Sequence, residues 1–370
     1  MIPNSKRGYV NSLVHRITRA IARDKLLLLI VLVLLLEESY YKTPLNILFR
    51  HVDWNTIAVI LGLVMGSSLL ESSGLLHKTL YSIARAVGKN HLPRVIVLFG
   101  GLLSSIIMND AAVFVIAPIV KILAGEDKAL STRLIVVSLA AINIGSTLTP
   151  FGNPQDVIIM HHYGINLWEY TRNITPLYLP ILILLYLYAR RTIAYPSIIP
   201  GIQVAKRPAI LGTISIITAV FSSFLRCWWP SLIVSVIVYL LGSRYISLTD
   251  LTIVPIIAGI YMILVPIRGE AITINNAIIT YIAGFLLSML LSNVPATIVL
   301  LGAPWIPLHL AVNLAGVIHP YSSLANLIGL RLSRTSWRDY TVQSIILGMS
   351  LFIYGFAIVS YLNAMNLANP

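Results

Sequence analysis

Only 13 of the 370 residues are Asp or Glu, so few side chains can carry a proton or balance a cation. Most of these acids stand in loops or at the ends of apolar runs. Asp110 does not: it falls inside the apolar stretch 95–124, directly after Met108-Asn109. A carboxylate in such surroundings is costly unless it is paired, hydrated or protonated. Asp110 therefore has the chemistry of an ion-coupling group that binds H+ or Na+ and releases it. The same residue type at a helix start caps the helix and complements its dipole. The two roles are compatible.

Neutral amides stand at two interruptions of apolar stretches, Met108-Asn109-Asp110 and Ser292-Asn293-Val294-Pro295. Asn109 and Asn293 each offer one acceptor oxygen and two N–H donors. A pair of them suits an oxyanion, a neutral hydroxyl compound or part of a cation shell. Two further interruptions are denser. One runs from Gly145-Ser146-Thr147 through Thr149-Pro150-Phe151-Gly152-Asn153-Pro154; the other spans His319-Pro320-Tyr321-Ser322-Ser323. Gly and Pro at this density stop a helix. The backbone groups so freed join Ser146, Thr147, Thr149, Gly152, Asn153, Asn313, Ser322, Ser323 and Asn326 as substrate-binding candidates. Ser and Asn of this kind also serve as plain caps on broken helix ends.

Other polar residues have blander readings. Asp156 follows Pro154 and complements a helix dipole. Glu71 reads as interfacial, and His319 beside Pro320 as structural. His161 and His162 are adjacent, so they do not share a helix face and are interfacial rather than metal ligands. Trp305 and His309 read as membrane-boundary residues. Cys227 is the lone cysteine, and no Cys/His spacing fits zinc, so neither a metal site nor a cofactor is expected. No HExxH or GxSxG motif supports an integral membrane enzyme.

The elements that position these residues follow from composition. Hydrophobic residues make up 57% of the chain and charged residues 11%, with a mean hydropathy of +0.86. A water-soluble globule could not cover its surface with so few polar groups. The apolar runs lack the period-two alternation of barrel strands, so they are helices crossing a bilayer. The net charge of +13 does not mark a nucleic-acid binder. The basic residues lie in short loops between apolar runs, as the cytoplasmic bias of Lys and Arg requires.

Orientation by Lys and Arg places the basic segment 1–23 in the cytoplasm. It then gives outward and inward spans 24–41 and 55–72, a cytoplasmic amphipathic stretch 77–89, and a re-entrant hairpin 95–124 with its tip at Asn109. Two arms of about 14 residues reach roughly 20 Å, short of a 30 Å hydrocarbon core. A broken helix 132–163 and span 170–190 follow. Span 208–225 connects to 228–243, 250–267, a second interrupted stretch 272–304, a broken span 307–331 and a last span 340–362. The expected fold is an all-α polytopic membrane protein with about nine spans, two re-entrant hairpins and two broken helices. Its C-terminus lies outside and it resides in the plasma membrane.

The same order of elements occurs twice, in 24–190 and 228–362. Residues 191–227 supply the connecting span, and 363–370 a short tail. The spacing Asn143 to Pro150 is repeated from Asn313 to Pro320. One connecting span inverts the second copy, and inverted repeats with discontinuous helices define a class of secondary transporters.

The segments Met108-Asn-Asp-Ala-Ala-Val-Phe-Val-Ile-Ala-Pro118, Thr149-Pro-Phe-Gly-Asn-Pro-Gln155 and Ser292-Asn-Val-Pro-Ala-Thr297 resemble the ion transporter superfamily. Within it they are similar to the arsenical pump membrane protein and the NhaD-type sodium/proton antiporter, grouped with citrate-transporter-like domains. The resemblance spans about residues 50 to 365. It implies a substrate site between two hairpin tips and two broken helices, an elevator-type motion and, frequently, a homodimer. Sodium-coupled dicarboxylate members carry Ser-Asn-Thr at both tips, where this chain has Met108-Asn109-Asp110 and Ser292-Asn293-Val294.

The expected function is a secondary active transporter of a small ion or anion, of arsenite/antimonite, carboxylate or inorganic-anion type. It would be driven by H+ or Na+. A sodium/proton antiporter is the alternative carrier, and an integral membrane enzyme the alternative from another class. No ATP-binding motif occurs in the sequence, so a pump role would need an ion gradient or a separate ATPase subunit.

Overall fold

Runs of Leu, Ile, Val and Ala fold as helices throughout, and no strand occurs among the described residues. The structure is a computed structural model that describes residues 25–365 except 43, 53, 89–90, 107, 192–202, 226, 247–250 and 264–271. The expected cytoplasmic segment 1–23, the linker 192–202 and the tail beyond 365 lie outside the described residues.

The chain divides into two compact units, each drawing on both halves of the sequence. The first comprises residues 1–73 and 205–266. Its helices are α1 (Lys25–Tyr41), α2 (Leu45–His51), α3 (Trp54–Ser73), α10 (Lys206–Phe224), α11 (Trp228–Gly242) and α12 (Ile253–Ile263). Helix α2 lies between the first two expected spans, where no helix is expected; Pro44 precedes its first turn, where the missing N–H costs nothing. Small residues let α3 approach its neighbours. A Cβ on Gly66 would lie 2.9 Å from Gly212 O, and one on Gly212 would lie 2.9 Å from Gly66 O. Ser215 Oγ donates to Gly62 O and Ser231 Oγ to Ala58 O, both at 2.8 Å. Close backbone approach with hydroxyl donors is how helices associate where lipid supplies no hydrophobic drive.

The second unit comprises residues 74–204 and 267–370. It begins with α4 (Leu75–Val87), the amphipathic stretch. Two consecutive helices, α5 (Leu92–Ile106) and α6 (Asn109–Ala124), meet near Asn109. Helix α7 (Lys128–Ser146) starts on Asp127, whose side chain accepts from Leu130 N at 2.9 Å. It stops at the expected break; a single 3₁₀ turn at Pro150–Gly152 follows, and Pro154 opens α8 (Pro154–His162). Helix α9 (Leu167–Tyr188) completes this half.

The second half repeats the order. Ser292, at φ +77°, separates α13 (Ala277–Leu291) from α14 (Asn293–Val299). Helix α15 (Trp305–Ala315) breaks before a 3₁₀ turn at Pro320–Ser322, and α16 (Leu324–Ser333) and α17 (Trp337–Ala364) follow.

Polarity is distributed as bilayer immersion demands. Leu286, Leu290, Val342, Ile346 and Ile353 are exposed on the second unit, as are Leu35, Ile214, Phe221 and Leu240 on the first. The interior of the second unit is mainly Leu, Ile, Val, Ala and Tyr, with buried Asn, Asp, His and Ser gathered at the helix breaks. Helices Trp54–Ser73, Lys128–Ser146 and Trp337–Ala364 are long and apolar enough to cross a membrane.

Candidate functional site

Helices α7 and α15 each end inside the second unit at a Gly/Pro break, and each carries an Asn one turn before its end. Asn143 Nδ2 donates to Leu139 O at 3.0 Å, and Asn313 Nδ2 to His309 O at 3.0 Å. The other amide hydrogen crosses to the opposite half of the sequence. Asn143 Nδ2 donates to Asn326 Oδ1 at 2.9 Å, and Asn313 Nδ2 to Asp156 Oδ1 at 2.8 Å. The acceptor oxygens are met in the same reciprocal way. Ser323 Oγ donates to Asn143 Oδ1 at 2.8 Å, and Asn153 Nδ2 to Asn313 Oδ1 at 3.4 Å. Positions 143, 153 and 156 thus match 313, 323 and 326 in spacing, in partner and in bond.

The second break is held further by Asn326, whose Nδ2 reaches Gly316 O at 2.6 Å and His319 O at 3.0 Å. Gln155 Nε2 adds a bond to Asn313 Oδ1 at 2.9 Å. All of these polar side chains are buried. At buried positions an unmade hydrogen bond costs about 1–3 kcal/mol. Asn153 Oδ1 is nevertheless buried without a partner.

Both interruption-tip amides come to the first of these clusters. Asn109 Nδ2 donates to Asn143 Oδ1 at 3.4 Å, while Asn109 Oδ1 accepts from Asp110 N at 2.8 Å. A Cβ placed on Gly316 would stand 3.5 Å from Asn293 Nδ2 and 3.7 Å from Asn143 Cγ. Gly316 thus lies beside both amides, with Asn313 O closer still, 3.1 Å from that Cβ. Asp110 is buried in the first turn of α6.

The remaining expected ligands bond to backbone carbonyls, Ser146 and Thr147 locally and Thr149 across to α5. Ser146 Oγ donates to Asn143 O, Thr147 Oγ1 to Ile144 O and Thr149 Oγ1 to Ser105 O. Ser322 Oγ closes a capping box with His319, donating to its carbonyl and accepting from its N–H. A Cβ on Gly152 would lie 2.1 Å from Ser146 O, so close packing alone requires glycine there. His319 Nδ1 accepts from Tyr321 N, the structural role expected of it.

His309 overturns its expected place at the membrane boundary. It is wholly buried in the middle of α15, with Nε2 3.1 Å from Asp156 Oδ1 and 2.9 Å from Tyr170 Oη. Tyr178 Oη lies 3.2 Å from its Nδ1. Trp305 is likewise buried. The signal that could have found His309 is its spacing: it precedes Asn313 by four residues, so both face the same side of one helix. Asp156 does stand in the first turn of α8, where the dipole favours it, and also pairs with His309. No cluster of three or more His, Cys, Asp or Glu suited to a metal occurs among the described residues.

Apolar faces outside, amides and a carboxylate–imidazole pair inside, and two matched helix breaks define a multi-pass membrane protein of the transporter class. The profile of the citrate transporter family matches residues 13–313. The chain is 27% identical over 338 residues to the inner membrane protein YbiR of Escherichia coli, covering 85% of this chain and 89% of that one. It is 30% identical over 301 residues to an uncharacterized transporter of Methanocaldococcus jannaschii, covering 78% and 84%. A shorter match, 30% over 123 residues, covers 32% of the chain and 21% of a Dictyostelium discoideum transporter named arsB. The chain belongs to the citrate transporter family, within the ion transporter superfamily.

Proposed function

We propose that the protein is a secondary active carrier in the plasma membrane. Its small solute binds between the tips at Asn109 and Asn293 and the two helix breaks, and its transport is coupled to H+ or Na+. The reciprocal bonding of Asn143 with Asn326 and of Asn313 with Asp156 carries this reading. Two halves that lock into each other's breaks are what inverted repeats meeting at mid-membrane would produce. The pairs α5–α6 and α13–α14 are then re-entrant hairpins, the N-terminus is cytoplasmic and the C-terminus outside.

Asn109, Asn293, Asn153, Asn313 and Ser323 are the proposed solute ligands, with Ser146, Thr147, Thr149, Gly152 and Ser322 shaping the broken backbone around them. Asp110 is the proposed ion-coupling carboxylate. No Lys or Arg is fully buried among the described residues, whereas Asp110 and Asp156 are. A multiply charged anion would lose its hydration there without a cationic partner. A small hydroxylated solute of the arsenite or antimonite kind finds amide donors and acceptors instead, so that class is favoured over citrate. A sodium/proton exchanger is the second reading, favoured by the buried carboxylates of Asp110 and Asp156 in the second unit.

The test is binding and flux. Purified protein is screened by thermal shift against arsenite, antimonite, citrate, succinate, phosphate, sulfate, sodium and lithium, and each stabilising solute is then followed into proteoliposomes. Stabilisation by arsenite or antimonite with matching flux supports the reading; stabilisation by sodium or lithium alone favours the exchanger.

A further inference from the structure

His309 is surrounded in a way that fixes one ring nitrogen and frees the other. Three groups lie against Nε2: Asp156 Oδ1 at 3.1 Å, Tyr170 Oη at 2.9 Å and, more distant, Asn313 Nδ2 at 3.4 Å. Tyr170 has Thr147 O at 3.0 Å and the Asp156 carboxylate as acceptors for its one hydrogen, so it faces His309 with a lone pair. The nearby Asn313 amide spends its two hydrogens on Asp156 Oδ1 and His309 O. Both close partners of Nε2 are therefore acceptors, and Nε2 carries a hydrogen.

At Nδ1 the partner is Tyr178, whose hydroxyl lies 3.2 Å from Nδ1 and 3.2 Å from His309 O. A hydroxyl donates one hydrogen and accepts others. With Nδ1 bare, Tyr178 donates to it. With Nδ1 protonated, Tyr178 accepts from it and turns its hydrogen to the carbonyl of His309. Both states are satisfied without moving a heavy atom.

The carboxylate supplies the balancing charge. Asp156 accepts from Asn313 and His309 on Oδ1 and from Asn153 Nδ2 on Oδ2 at 3.0 Å, at the start of α8. One proton on Nδ1 changes the pair from a net charge of −1 to 0. The matching pair in the other half is Asn326 and Leu139, neither of which titrates.

Other titratable groups on neighbouring elements are occupied or distant. Tyr281 of α13 donates to Phe352 O, and Tyr354 and Tyr340 of α17 donate to Leu177 O and Val317 O. Lys128 and Arg133 stand at the opposite end of α7, ten residues or more from Asn143, or about 15 Å along the axis. His161 and His162 close α8 in exposed positions, Glu169 and Arg172 lie in the first turns of α9, and Arg338 and Asp339 start α17. Asp110 begins α6, which packs on α7 and α16.

We propose that the His309–Asp156 pair, with Tyr178 as its rotor, is a proton-binding site that couples H+ to solute at the helix breaks. This deepens the carrier reading and rests on it for the coupling. Asn313 and Asn153 bond to Asp156 and are proposed solute ligands, so proton and solute occupancy are linked. The proton is taken onto Nδ1 from water on one side and released to water on the other.

The proton site is tested without any solute. Full-length protein labelled with 15N-histidine is titrated between pH 5 and 9 in nanodiscs, and the nitrogen shifts of its eight histidines are followed. His309 is identified as the resonance lost in His309→Gln, or, should that variant not fold, as the one displaced in Asp156→Asn. Asn326 shows that the fold accepts an amide at the matching position. The expected result is an Nε2 that stays protonated while Nδ1 gains a proton across the range, with its midpoint moved by one pH unit or more in Asp156→Asn. An Nδ1 that keeps one state throughout, or an unmoved midpoint, overturns the proposal. In proteoliposomes, arsenite accumulation under an imposed pH gradient falls at least tenfold in Asp156→Asn, while arsenite exchange persists. Undiminished accumulation overturns the coupling role. A titrating His309 in a protein that moves neither arsenite nor citrate supports the proton site and contradicts the carrier reading.

Discussion

Asn313 donates to Asp156 at 2.8 Å across 157 residues of chain, and Asn143 donates to Asn326 at 2.9 Å in the matching place. Each broken helix is thus fastened to the other half's break. The bonds tie the ends of α7 and α15, side chain to side chain, to the helices that follow the opposite breaks. The two fastenings differ by one charge, because Asp156 stands where the second half has Asn326.

The tip amides should matter for solute binding rather than for folding. Asn109→Ala and Asn293→Ala are each expected to insert normally and to lose roughly tenfold or more in affinity for the stabilising solute, about 1.4 kcal/mol. Thermal-shift titration of both variants checks this. Unchanged affinity in both would reduce the pair to helix caps.

Asp110→Asn should separate coupling from packing. Asn keeps the volume and can still cap α6, but it cannot change charge. Gradient-driven accumulation should be lost while insertion and solute exchange persist. Uptake under an imposed pH gradient and, separately, a sodium gradient reads the effect. If the variant couples to either gradient as the parent does, Asp110 is not a coupling group.

Much of this architecture was legible in the sequence, because apolar runs and Gly/Pro breaks report directly on backbone demands. The interruptions at Asn109 and Asn293 and both helix breaks fall where spacing placed them. The offset from Asn143 to Asn313 already paired the breaks. His309 was misplaced because a single histidine in an apolar run looks the same at a membrane boundary as in a core. Tyr170 and Tyr178 carried no signal for the same reason: their partners, Thr147 O and His309, lie on other helices. The short helix α2 was missed because its seven residues are too few to show a period.

Packing of α7 on α5 gives a stability prediction. A Cβ on Gly145 would lie 2.1 Å from Gly101 O, a backbone atom that cannot step aside. Gly145→Ala should destabilise the protein by about 3 kcal/mol. Gly164, at φ +67° with nothing within 4 Å, offers a control. Gly164→Ala should cost only about 1 kcal/mol, from its left-handed backbone. Thermal unfolding of the two variants in detergent should place Gly145→Ala well below Gly164→Ala; equal midpoints would contradict the close approach.

Orientation can be read with single cysteines in a Cys227→Ser background. Positions 90 and 203 should label from the cytoplasm, and 46 and 366 from outside. Labelling of 90 and 46 from the same side would end the inverted-repeat reading.

Solute counterflow in proteoliposomes tests the central claim most directly. Vesicles loaded with unlabelled arsenite and diluted into a trace of labelled arsenite should take up the label transiently against its gradient, because a carrier exchanges bound solute one for one. Asn109→Ala and Asn293→Ala should abolish that overshoot. Simple equilibration without an overshoot, or an overshoot unaffected by either substitution, would contradict a carrier whose solute sits between those two amides.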